Sequence, residues 1–242
     1  MRNSNPEVLR LLIANGANVN ATDQFMYTPL MLAAWRNSNP EILRTLIENG
    51  ADANVIDSVN RSALWLAAEF NSNHEVLQVL IDNGADVNIV DNIGRTPLMA
   101  AAQNDANLDI IRILIENSAN VNATSCGGRT PLLAAANGNS NLEVLQILIE
   151  NGADVNVACR RGMTPLMMVT GRQNPEFFRL LIANGADINA RNAAGMSALD
   201  YVRMDATRSV IRVMPLGWWM ILGFISIFAL YLLMRKTKAR KN

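Results

Sequence analysis

Side chains able to do covalent or metal chemistry are few in this chain. His74 is its single histidine, and Cys126 and Cys159 are its two cysteines. A zinc centre needs three or four ligands drawn from such residues, and a general base needs a partner to orient it and a group to take a proton from. Neither set is supplied by the spacing. His74 falls at the start of the amphipathic stretch "HEVLQVLID", where a solvated imidazole is the ordinary outcome. The glycine-rich "SCGGRT" (125–130) and the basic "RRGM" (160–163) lack the Lys-Ser/Thr ending that a phosphate loop requires. No catalytic residue, cofactor, metal or small-molecule substrate is therefore expected, and the chain reads as a protein that binds rather than reacts.

The rest of the sequence is periodic. "YTPLMLAA" at 27–34 returns as "RSALWLAA" at 61–68, "RTPLMAAA" at 95–102, "RTPLLAAA" at 129–136, "MTPLMMVT" at 163–170 and "MSALDYVR" at 196–203. Between these lie copies of "NPEVLRLLIANGANVN" (5–20), among them "NPEILRTLIENGADAN" and "NLEVLQILIENGADVN". Each half-unit predicts a helix. Thr28 caps the first and Pro29 takes its first turn, where a missing N–H does no harm. Asn39 caps the second, Pro40 starts it, and Glu41 sits at its positive end. Ile42, Leu43, Leu46 and Ile47 form one apolar stripe at helical spacing. "NG" at 49–50 ends the helix, because glycine enters the left-handed conformation without strain. Ser118 replaces that glycine in one unit, at an expected cost of about 1 kcal/mol.

A helix pair followed by an extended arm and a turn, at about 33 residues, has the spacing of ankyrin repeats. "GRTPLMAAA" (94–102) and "LIENGADVN" (148–156) resemble that family's signatures. The resemblance implies an all-α solenoid: a half repeat at 1–22, repeats at 23–56, 57–90, 91–124, 125–158 and 159–191, and a capping repeat at 192–214. The histidine usual in the first helix is Met31, Trp65, Met99, Leu133 or Met167 here. Its hydrogen bond to the turn is accordingly expected to be absent, with Trp65 serving only to pack. The asparagines recurring once per unit (Asn20, Asn54, Asn88, Asn122, Asn156, Asn189) are expected to satisfy backbone groups in arms that form no sheet. Stacked units stand about 10 Å apart, so Cys126 and Cys159, offset by one position on adjacent turns, are expected to be free thiols rather than a disulfide.

The resemblance implies that protein partners are bound through the turn tips and the concave face formed by the first helices. On this chain those positions hold Phe25, Tyr27, Trp35, Arg36, Arg61, Phe70, Arg95, Arg129, Arg160 and Arg161. Trp, Tyr and Arg are the types that most often anchor interfaces. The expectation is an aromatic anchor at the N-terminal end, with a ladder of arginines above it facing an acidic segment of a partner. The competing expectation is that the arginines merely pair with nearby acids.

The two ends differ from the body. The chain opens on the second half of a repeat, leaving Val8, Leu9, Leu12 and Ile13 without an upstream helix, which favours sequence upstream of Met1. At the other end, "LGWWMILGFISIFALYLLM" (216–234) has no charge and spans roughly 28 Å as a helix, matching the hydrocarbon core of a bilayer. A transmembrane helix at 215–234 is expected, with Trp218, Trp219 and Tyr231 at its interfaces and Arg235 and Lys236 opening a basic tail at 235–242. Outside that tail 16 basic residues face 21 acidic ones, a balance unsuited to nucleic acid. The basic tail favours a cytoplasmic C-terminus with the repeats on the far side; a tail anchor with cytosolic repeats is the rival. The expected function is a membrane-anchored scaffold for an unidentified protein partner. The alternative is a regulatory or sensory segment of a larger enzyme or channel that begins upstream of Met1.

Overall fold

The computed structural model describes residues 5–104, 108–171 and 174–204. Among these there is no strand, and the helices in chain order are α1 (Pro6–Ala14), α2 (Pro29–Arg36), α3 (Pro40–Glu48), α4 (Ala63–Phe70), α5 (His74–Asp82) and α6 (Pro97–Gln103). There follow α7 (Leu108–Glu116), α8 (Pro131–Gly138), α9 (Leu142–Glu150), α10 (Pro165–Val169), α11 (Pro175–Ala183) and α12 (Ala198–Met204). The even helices stack in one row and the odd helices in another, and each unit's two helices pack on one another.

Position in the stack explains composition. An even helix is enclosed by its two neighbours and its own partner, so α4 is buried at every residue from Ala63 to Ala68. Only small side chains let three helices approach that closely, hence the alanines. An odd helix keeps a solvent side, so α5 buries only the stripe Val76, Leu77, Val79 and Leu80. Capping follows the sequence. The hydroxyls of Thr28, Ser62, Thr96, Thr130 and Thr164 accept the N–H three residues on. The amide oxygens of Asn39, Asn73, Asn141 and Asn174 accept the N–H two residues on. Each cap contributes about 1 kcal/mol. Ser118 takes φ +66°, where Gly50 in an earlier unit has φ +87°, so it bears the strain that a side chain meets in the left-handed region.

The arms are joined by side-chain amides. Asn122 donates through Nδ2 to the Gly152 carbonyl (2.9 Å) and accepts the Asp154 N–H (3.0 Å), thirty-odd residues on in the next unit. Asn20, Asn54, Asn88 and Asn156 do the same for their own next units. The asparagines thus satisfy backbone groups, but of the neighbouring repeat rather than of their own arm. A second set runs the opposite way. Asn139, fully buried, donates back to the carbonyls of Ala102 (3.1 Å) and Asn104 and accepts the Asn141 N–H (2.8 Å). Asn71 does likewise to Ala34 and Asn37.

α1 lies against α3 and none of its residues is fully buried. Val8, Leu11 and Leu12 are exposed, whereas Leu9 packs against the core. In the last unit Ser197 donates its amide and hydroxyl to the Asp200 carboxylate (2.9 and 2.8 Å), and these bonds hold that carboxyl below its ordinary pKa. No helix among the described residues is long and apolar enough to cross a membrane. The expected span at 215–234, its flanking Trp218, Trp219 and Tyr231, and the tail with Arg235 and Lys236 lie outside the described residues.

The two asparagine sets should differ in weight. Asn139→Ala removes the donor to the buried Ala102 carbonyl and to that of Asn104 and is expected to lower stability by about 3 kcal/mol, and Asn122→Ala, at the exposed arm, by about 1 kcal/mol. Urea unfolding of both variants checks the ranking, and equal losses would contradict it.

Candidate functional site

The first three projecting turns are each organised by the aspartate at their start. Asp57 Oδ1 accepts the N–H groups of Val59 and Arg61 (both 2.9 Å), and its Oδ2 holds the Arg61 guanidinium (2.8 Å). Asp91 repeats the arrangement with Ile93 and Arg95, its Oδ2 2.8 Å from Arg95 Nε. Asp23 accepts from Phe25 and Tyr27 (2.8 and 2.9 Å). Neighbouring turns are then tied by single backbone bonds, such as Ser58 N–H to Phe25 O (3.2 Å) and Cys126 N–H to Ile93 O (2.8 Å). The approach is close: a Cβ on Gly94 would stand 3.1 Å from the Cys126 nitrogen.

This spacing brings the expected aromatic residues into one run. Ring centroids of Phe25 and Tyr27 are 6.5 Å apart, of Tyr27 and Trp35 5.7 Å, and of Trp35 and Phe70 5.8 Å, all tilted. Arg36 lies 3.9 Å above the Trp35 ring. Arg61 donates to the Tyr27 hydroxyl (2.5 Å) and sits over its ring. Both ends of the run reach solvent, Phe25 at 53 % and Phe70 at 49 % exposure. Tilted aromatic pairs at these separations are worth about 0.5–1.5 kcal/mol each, so the rings are preorganised rather than loose. Beside them Met26 holds φ +65° where the third turn has Gly94 and the fourth Gly128. A non-glycine residue there stores about 1–3 kcal/mol of strain. Nothing in the sequence pattern singled it out, although its alignment with those glycines was the available signal.

Trp65 corrects one expectation. It is fully buried, yet it does more than pack: its indole Nε1–H donates to the Arg95 carbonyl of the next turn (3.0 Å). The hydrogen bond expected to vanish with the family's histidine is thus made by another N–H donor. Arg61 and Arg95 lie 5.5 and 5.0 Å from the same ring.

The expected ladder of arginines divides. Arg61 and Arg95 are neutralised by Asp57 and Asp91 within their own turns, as the competing expectation held. Arg129 and Arg161 lie away from the aromatic run, with Arg160, in a groove further along the stack. His74 does have a carboxylate nearby, Asp109 at 3.8 Å, although the sequence showed none. Both side chains are about half exposed on the outer row, and the separation exceeds a hydrogen bond. Cys126 is exposed and Cys159 half-buried, and both are free.

Glu69 lies half-buried at the end of α4, where the preceding unit has Trp35. Burial raises its carboxyl above the ordinary value against the pull of Arg95 and Arg61, and Asp91 adds to the rise.

Comparison with known families agrees with this geometry. The family model described as "Ankyrin repeats (3 copies)" matches residues 1–91 and 64–159, and that described as "Ankyrin repeats (many copies)" matches residues 148–202. The chain belongs to the ankyrin-repeat family, whose repeats form a protein–protein interaction module. No individual curated protein matches it.

Because native Glu69 holds its proton to higher pH than the unfolded chain does, stability contributed by this group is lost as pH rises through the raised folded value. Glu69→Gln removes the effect. The stability of the variant relative to the parent is expected to grow as pH rises above about 4 and to level off once the native carboxyl is ionised. Denaturation at a series of pH values checks this, and a constant difference would contradict it.

Proposed function

We propose that this chain is a scaffold, held at a membrane by its C-terminal segment, that grips a protein partner through the aromatic run Phe25–Tyr27–Trp35–Phe70 and has no chemistry of its own. The observation that carries the reading is the run itself: four rings in continuous contact, in which Tyr27 and Trp35 pack partly against the core and hold Phe25 and Phe70 half exposed at the surface. Large apolar groups left at the surface in one patch mark interaction sites, and rigid aromatics lose little entropy on binding. Arg36 over Trp35 adds a donor that can reach a partner while its charge stays solvated. The membrane part rests on the uncharged stretch 216–234 and the basic residues after it.

Trp35→Ala together with Phe70→Ala is expected to weaken retention of co-purifying partner about 30-fold or more, as loss of an interface anchor does. Thermal melting of the double variant serves as the fold control. Undiminished retention removes the aromatic anchor.

Sidedness can be read from the thiols. A membrane-impermeant maleimide added to intact cells carrying the full chain is expected to label the exposed Cys126 before lysis, as a cytoplasmic basic tail requires. Protection until lysis would instead make the chain a tail-anchored protein with cytosolic repeats.

A further inference from the structure

The turns change chemistry after the third. Where Asp57 and Asp91 clasp Arg61 and Arg95 four residues on, the fourth turn has Ser125 before Arg129, and the fifth has Cys159 before Met163. Ser125 Oγ still accepts the Arg129 N–H (3.3 Å), so the turn closes without its acid. The guanidinium is thereby released. On the next tip stand Arg160 and Arg161, where the third tip carries Asn92 and Ile93. All three arginines are exposed, and none of their guanidinium groups has an ion pair among the described residues.

They face one groove of about 1130 Å³, and among the described residues that line it none is Asp or Glu. Its floor is apolar and fixed. Met167 is buried beneath it and Met163 and Met168 are half-buried, with the Tyr201 hydroxyl donating to the Met163 sulfur (3.4 Å) and accepting from Asn192 Nδ2 (2.7 Å). Guanidinium forks select carboxylates by paired hydrogen bonds, and methionine surfaces accept varied apolar side chains.

We propose that this groove binds a short acidic peptide segment, with carboxylates on Arg129, Arg160 and Arg161 and an apolar side chain between them on the methionine floor. The assignment rests on the protein-binding reading above and adds a second contact of different chemistry at the other end of the stack. A short segment is indicated because the chain outside its basic tail carries more acids than bases, which repels a long polyanion.

The test uses the full chain in detergent with Cys126→Ser, leaving Cys159 in the groove wall as the only thiol. The probe is a fluorescein-labelled peptide of alternating Glu and Leu, with its Gln–Leu counterpart as control. Binding is read by anisotropy and by slowed maleimide modification of Cys159. The expected result is that the acidic peptide binds and protects the thiol, and that Arg129→Gln, Arg160→Gln and Arg161→Gln together weaken it about tenfold or more. Trp35→Ala with Phe70→Ala should leave this binding unchanged, so a failed groove and a failed aromatic anchor give different results. Equal binding by the Gln–Leu peptide, or indifference to the three substitutions, overturns the proposal. So does arginine-dependent binding of phosphatidylserine vesicles without peptide binding, which would make the groove a lipid contact.

Discussion

The carboxamide of one asparagine per unit is the constraint on which the rest depends. It donates to a carbonyl left open at the end of the next unit's second helix and accepts an N–H from the arm that follows. The pair contributes only a few kcal/mol at most, but its geometry allows a single separation between neighbouring units. Everything that recurs is referred to that spacing: alanines thin enough for three helices to meet, a backbone bond from each tip to the next, and a glycine where two tips nearly touch. A unit by itself could satisfy none of these groups, which is why such arrays gain stability from their interfaces.

Because the scaffold is fixed, the tips are free to vary, and they vary in blocks. The first tips carry Phe25, Val59 and Ile93; the same place on later tips is Gly127 and Arg161. Changing Asp to Ser or Cys at the start of the turn accompanies this change. An acid in that place serves the backbone and the arginine together, whereas Ser125 serves the backbone alone. Local turn chemistry thereby decides whether an arginine is structural or available.

Most of the helices were legible in the sequence, since caps, prolines and the apolar stripe all mark the same boundaries. Thr28, Asn39 and the strained Ser118 play the parts their types implied. What sequence did not reveal were interactions reaching between units. The backward amides of Asn71 and Asn139 sit between the two helices of a unit in stretches that read as ordinary polar turns, and their burial depends on a helix in the preceding repeat. Trp65 resembled a space-filling substitution because its hydrogen-bonding partner is a backbone carbonyl thirty residues away, and a carbonyl leaves no mark in the letters. In the candidate site, the aromatic residues could be named from their positions, but not their mutual contact. The separation of arginines into clasped and unclasped follows the i, i+4 pairs Asp57–Arg61 and Asp91–Arg95 against Ser125–Arg129, a difference that lies in the residue opening each turn and not in the arginines themselves.

The split between clasped and unclasped arginines bears on the kinetics of encounter. Long-range attraction comes from charge that is not cancelled at home, so on the binding proposed above the end bearing Arg129, Arg160 and Arg161 would govern the rate at which an acidic molecule is captured and make that rate sensitive to ionic strength. Stacked rings exert no such pull at a distance; in the proposed complex their contribution would fall in the residence time, which salt scarcely alters. The two proposed contacts thus place arrival and departure at different ends of one stack, and the direction from one to the other would set the polarity in which an extended chain lies along it.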